Sequence, residues 1–105
     1  MKAGYLQLGE NCLGYQNLSV GTTQQKMSVP KGALSAEVIL IANNATDINS
    51  IACYFREDGQ NATNIEGLPL LHLTPYTIRR KNLDKFSIIS ADGNTHSLRI
   101  QYFGA

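Results

Sequence analysis

The residues of this chain that could do chemistry are few and scattered. They are eight carboxylates (Glu10, Glu37, Asp47, Glu57, Asp58, Glu66, Asp84 and Asp92), two histidines (His72 and His96) and two cysteines (Cys12 and Cys53). Hydrolysis by paired acids needs two carboxyl groups facing one cleft, one of them with its pKa raised by apolar surroundings. Nothing marks such a pair. Asp58 and Asp92 each precede a glycine and are accounted for by turn geometry, and Asp84 beside Lys85 reads as a solvated loop charge. No Gly-x-Ser-x-Gly elbow is present, and neither cysteine lies in a signature that would lower its pKa. His72, between Leu71 and Leu73, reads as a partly buried strand histidine, and His96 flanks a turn. Zinc would need four ligands at workable spacing, and Cys12, Cys53, His72 and His96 contain no short-range pair. Glycine-rich phosphate loops are also missing. The expectation is no catalytic residue, no metal, no cofactor and no enzymatic activity.

Composition narrows the partners. Nine Lys and Arg against eight Asp and Glu leave a net charge of +1, too small to draw in nucleic acid or an anionic membrane from a distance. The basic cluster Arg79, Arg80, Lys81 and Lys85 has no alternating aromatic residues of the kind a base-stacking platform uses. It reads as a charged strand end that resists edge pairing, or else as a match for acids of a neighbouring subunit. The expected partners exclude nucleic acid and membrane. The longest apolar run, Val38 to Ala42, is far short of a membrane span, and polar residues interrupt any apolar leader between Met1 and Val20. Synthesis in a cytoplasm is therefore expected, with two reduced, core-type cysteines rather than a disulfide, although a Cys12–Cys53 bridge stays open.

The elements that would position these residues are strands. Helical periodicity is nearly missing, whereas alternation of period two recurs throughout. Strands are predicted over Tyr15 to Val20, Gln25 to Val29, Ser35 to Ala42, Ile51 to Arg56, Tyr76 to Arg80, Phe86 to Ala91 and Thr95 to Phe103. Pro30-Lys31-Gly32 forms a break before the third of these, and a polar loop follows Asn43. Asp92-Gly93-Asn94 between the last two predicts a hairpin, because Asp-Gly supplies positive φ at low cost. His96, Leu98, Ile100 and Tyr102 would share one face, with Ser97, Arg99, Gln101 and Phe103 on the other. In 105 residues this patterning predicts one all-β domain, 1–105. It would be a small antiparallel β-sandwich or jelly-roll-like barrel of about seven to eight short strands, with 1–14 as an N-terminal arm.

One pattern bears on assembly. Val38, Ile39, Leu40 and Ile41 are apolar on both faces of their strand, and Ile88-Ile89 and Tyr102-Phe103 repeat this. Either the first dozen residues or another subunit must cover the second face. Val38, Ile39, Leu40, Ile41, Tyr102 and Phe103 are thus candidates for an interface in a dimer or trimer.

The least ordinary stretch is Tyr54 to Leu70, YFREDGQNATNIEGLPL. An apolar strand ending in Arg-x-Asp-Gly, then Ala-Thr, then Gly-x-Pro-Leu resembles the pattern of a family of small β-sandwich proteins encoded among the structural genes of tailed bacteriophages. Val29-Pro30-Lys31-Gly32-Ala33, Leu83 to Ile89 and Leu98 to Phe103 are similar to further parts of that pattern. Ala62 stands where the family often has proline, and Met1 to Gly14 lies outside the match. The resemblance implies a non-enzymatic virion protein made in the bacterial cytoplasm, such as a capsid decoration or cement protein or a minor head or tail component. It would act through contacts with itself and with other virion proteins. Arg56, Glu57, Asp58, Asn61, Asn64 and Glu66 would then lie on a contact loop, with Arg56 pairing with Asp58 or Glu57 to hold the turn. The alternative from the residues is a monomeric lectin-like or receptor-binding module that uses the same loop and exposed tyrosines.

Overall fold

Two antiparallel sheets pack face to face in the computed structural model, which describes residues 11–43 and 51–105. Seven strands and one short 3-10 helix make up the described chain: β1 (Asn11–Val20), β2 (Ala33–Ile41), β3 (Ile51–Arg56), β4 (Leu68–Leu71), β5 (Pro75–Arg79), the 3-10 turn Arg80–Asn82, β6 (Ser87–Ser90) and β7 (His96–Gly104). The larger sheet has the order β1-β7-β2-β5 and the smaller one β4-β3-β6. Every pairing is antiparallel. This is a sandwich; no barrel closure joins the two sheets among the described residues.

Alternation in β7 sets the core. His96, Leu98, Ile100 and Tyr102 are buried, while Arg99 and Gln101 face solvent. In β2, Ala36, Val38 and Leu40 point inward beside them, and from the smaller sheet Cys53, Phe55, Leu70 and Ile88 meet this layer. Phe55 is the hinge of the packing, with its ring centroid 4.9 Å from Tyr76 and 5.6 Å from Phe86. Rings at such separations add to the burial of their area.

Four expectations are corrected. The strand predicted over Gln25 to Val29 reduces to a single bridge, in which Gln25 and Ile88 exchange both backbone hydrogen bonds at 2.8 and 3.0 Å. Past Gln25 the segment meets no ladder partner among the described residues: Met27 still turns into the core, but the Ser28 N–H goes to the Gln16 side chain at 3.1 Å. The hairpin across Asp92-Gly93 does not form. β6 pairs with β3 and β7 with β1 and β2, so this turn carries the chain from one sheet to the other. A tight turn fixes a reversal of direction, but the long apolar strands β1 and β2 decide what β7 pairs with. Ile51, which strict alternation over Ile51 to Arg56 would put on one face with Cys53 and Phe55, leaves that face because a bulge falls between Ile51 and Cys53. Asn11 to Gly14, assigned to an arm, belong to β1, which is ten residues long; residues 1–10 lie outside the described residues. β4 was not expected as a strand at all. Pro69 sits within it, tolerated because β4 is an edge strand.

Candidate functional site

The contact-loop candidates start where β3 ends. Arg56 pairs with Asp58 through both Nε and Nη2, as the sequence allowed, and Asp58 also accepts a hydrogen bond from the Gln60 N–H at 3.2 Å. The hydrogen bond from Arg56 holds the Asp58 carboxyl below the usual carboxylate range. Glu57 points the other way. It accepts from the Tyr76 hydroxyl of β5 and from Asn82 Nδ2 at 3.1 Å, fastening the loop's origin to the opposite sheet. Burial, and then the bond to Glu57, push the Tyr76 hydroxyl up to about 12. Glu57, Asp58 and Glu66 are the acids that could match the basic cluster of a neighbouring subunit, and Glu57 and Asp58 already have partners within the chain.

Beyond Gly59 the loop is held in the middle as well. Ala62 N–H donates to Ser87 Oγ at 2.9 Å, and Ser87 donates to the Gln60 carbonyl at 3.0 Å. Thr63 and Glu66 exchange backbone hydrogen bonds at 3.0 and 3.3 Å, closing a small turn. Gly67, at φ +149°, then passes so close to β3 that a Cβ would lie 3.0 Å from the Phe55 carbonyl oxygen. A Cβ there would crowd β3 and strain a φ that L-residues rarely adopt. The tip that remains, Asn61, Thr63, Asn64 and Ile65, faces solvent, with Ile65 84% exposed. Asn61 and Asn64 line a depression of about 410 Å³ together with Thr22, Gln24, Thr63 and Ser90. Amides and hydroxyls supply its polar groups, and no charged side chain is among its walls. Gln24 Oε1 is buried there without a hydrogen-bond partner among the described residues.

The interface candidates separate by strand parity. Val38, Leu40 and Tyr102 are buried in the core, which removes them as candidates for an interface. Ile39, Ile41 and Phe103 lie half-buried on the outer face of the larger sheet. Cross-strand register places Tyr15 beside Gln101 and Glu37, and Asn17 beside Arg99, Ile39 and Pro75. A shallow depression of about 320 Å³ lies among Tyr15, Glu37, Ile39, Pro75, Arg99 and Gln101. Tyrosine and arginine next to aliphatic residues is the composition favoured in protein contacts. Of the basic cluster, Arg79 ends the edge strand β5, while Arg80 and Lys81 lie in the 3-10 turn, not on a strand face.

One constellation escaped sequence reading. Asp92 Oδ1 gathers His96 Nε2 at 2.7 Å, Ser90 Oγ at 3.0 Å and the Asn94 N–H at 2.9 Å. Serine, histidine and aspartate in one place suggest nucleophilic catalysis, but the wiring is wrong for it. A catalytic serine donates to histidine, whereas Ser90 donates to the carboxylate. The nitrogen that would act as base, His96 Nδ1, accepts the Asn43 N–H at 3.0 Å. The ring proton therefore sits on Nε2 and is given to Asp92. His72 plays the same part nearby, its Nδ1 accepting the Ala42 N–H at 2.9 Å. The spacing Ser-x-Asp-x-x-x-His was visible, but nothing in it separates a latch from a site.

Cys12 is exposed, Cys53 is buried, and both are free thiols. Burial, with the Asp92 charge second, pushes the Cys53 thiol up to about 12, so it is inert at neutral pH. Among the described residues no group of three or more His, Cys, Asp or Glu side chains is placed to hold a metal ion. Compared with family models, curated proteins and solved structures, the chain matches none.

Proposed function

We propose that this chain is a structural module that works by protein contact and not by catalysis: it associates with copies of itself and with other proteins of an assembly. The resemblance of its Arg-x-Asp-Gly to Gly-x-Pro-Leu stretch suggests that the assembly is a tailed-phage virion, in which the chain would be a decoration or cement protein or a minor head or tail component. The observation that carries the reading is the outer face of the β1-β7-β2-β5 sheet, where Tyr15, Ile39, Ile41 and Phe103 stand among Arg99, Glu37 and Gln101. Such a face buries apolar area on contact while its charges set orientation. The test is native mass by light scattering across a concentration series. A dimer or trimer is expected, and a strict monomer up to high micromolar concentration would sink the reading.

A second reading is favoured by the depression beneath the Asn61 to Asn64 tip. Neutral amides and hydroxyls around about 410 Å³ suit a polyhydroxylated ligand such as a saccharide, which would make the chain a lectin-like binding module. A glycan-array screen tests it, with the Asn61→Ala and Asn64→Ala variants as controls that should lose any signal. Absence of binding on the array removes this reading.

A further inference from the structure

Four strands lie at sheet edges, and three of them are blocked. β5 begins with Pro75 and ends with Arg79; β4 is four residues long with Pro69 inside it; β6 has its outer edge taken by the Gln25 bridge. Proline, charge, short length and a covering segment are the devices by which edges avoid pairing with another chain. Among the described residues β1 has none of them. It runs ten residues, Asn11 to Val20, without proline and without a charged side chain. Its one ladder is with β7, and no loop backbone among the described residues bonds to its other edge. The segment that follows β1 reaches it through the Ser28 N–H, at 3.1 Å from the Gln16 side chain.

We infer that the free edge of β1 pairs antiparallel with β1 of a second copy about a two-fold axis, joining two four-stranded sheets into one of eight strands. This rests on the assembly reading above and says which surface makes the self-contact. The occupant follows from the strand itself: an uncharged edge meets its own copy without like-charge conflict, and antiparallel pairing of identical strands is isologous. The register follows too. A bulge interrupts β1 between Cys12 and Gly14, and from Gly14 to Val20 its register with β7 is unbroken. Centring the axis on Asn17 pairs all seven of these residues and keeps each side chain on its own face, since side chains alternate with a period of two. Asn17 then meets Asn17 of the second copy, where two amides can each donate and accept, and Tyr15 faces the second copy's Ser19. Centring the axis on Gln16 instead brings the bulge into the pairing, and centring it on Leu18 shortens the pairing to Gln16–Val20.

Native mass of the full chain and two variants tests this. Asn17→Glu sets two carboxylates against each other across the axis, while Arg99, its neighbour on β7, still supports the folded monomer. Ile39→Glu changes the sheet face and leaves the edge alone. A wild-type dimer that becomes a monomer with Asn17→Glu and stays a dimer with Ile39→Glu is the expected result. Cysteine cross-linking in a Cys12→Ser background gives the register independently. Asn17→Cys should yield a disulfide dimer, whereas Tyr15→Cys and Ser19→Cys should not, their copies being about 13 Å apart, beyond disulfide reach of about 7 Å. A wild-type oligomer that survives Asn17→Glu and gives no Asn17→Cys cross-link overturns edge pairing but leaves the assembly reading intact. A wild-type monomer overturns both.

Discussion

His96 and Asp92, 2.7 Å apart across the turn between β6 and β7, fix where the chain passes from one sheet to the other. The imidazole is buried and the carboxylate half-exposed, so the pair joins a core position to the surface. Its electrostatics give a pH signature. Burial alone would raise the Asp92 carboxyl, but hydrogen bonds from Asn94, His96 and Ser90 outweigh it and hold it below its ordinary value of 3.8.

A depressed folded-state pKa means that the stabilisation is present above the unfolded value and is lost as pH falls through the folded one. Wild type should therefore lose stability as pH drops below about 4 more steeply than Asp92→Asn does. At neutral pH, Asp92→Ala should cost about 1–3 kcal/mol, because Ser90 and His96 lose their acceptor. Urea unfolding at several pH values measures both. Equal acid slopes for wild type and Asp92→Asn would remove this account.

Tyr76 and Tyr102 should titrate late. Burial leads in raising both hydroxyls to about 12, and Glu57 adds to the effect at Tyr76. The sign is opposite to that of Asp92: stability is held below the unfolded pKa near 10 and falls as pH rises from there toward 12. Tyr76→Phe should soften this alkaline loss and cost about 1 kcal/mol at neutral pH through the bond to Glu57. Ultraviolet titration of tyrosinate against denaturation curves decides it.

Two glycines should differ sharply. Gly67→Ala meets the Phe55 carbonyl and Tyr54 Cβ, each 3.0 Å from the new Cβ, at a φ that L-residues rarely adopt. A loss of about 1–3 kcal/mol is expected. Gly14→Ala has open space around its Cβ and should lie within about 0.5 kcal/mol of wild type. Urea midpoints of the two variants, side by side, provide the comparison.

Thiol chemistry offers a simple check of burial. A maleimide added to folded protein near neutral pH should modify Cys12 and leave Cys53 untouched until denaturant is added. Rapid labelling of Cys53 in the native protein would contradict its place between the sheets.

How far the sequence was legible depended on what kind of information each element needed. Alternation in β7 and the apolar length of β2 are local, and both strands were readable within two residues of their ends. The partner of β7 was not, because Asp92-Gly93 carries turn chemistry that serves a hairpin and a crossover equally. β4 was hidden by Pro69, whose prohibition holds only inside a sheet and lapses at an edge. The Arg56–Asp58 pair could be read at a separation of two residues, whereas the Tyr76–Glu57 bond spans nineteen and joins different sheets. Val38 and Leu40 were named as interface candidates together with Ile39 and Ile41 because apolar residues on both faces of a strand do not say which face is inside.

The position of β7 between β1 and β2 has a consequence for the order of folding. β1 and β2 never touch in the ladder, although they are successive strands; both wait for residues 96–104. Asn11 pairs with Gly104, so the earliest described strand closes only through the widest loop in the chain. Contacts of such long sequence separation slow the folding search. Until β7 docks, β1 is an uncharged strand with two open edges. Its most available neighbour during that interval is the same strand of another molecule, so the concentration at which refolding is attempted should govern its yield.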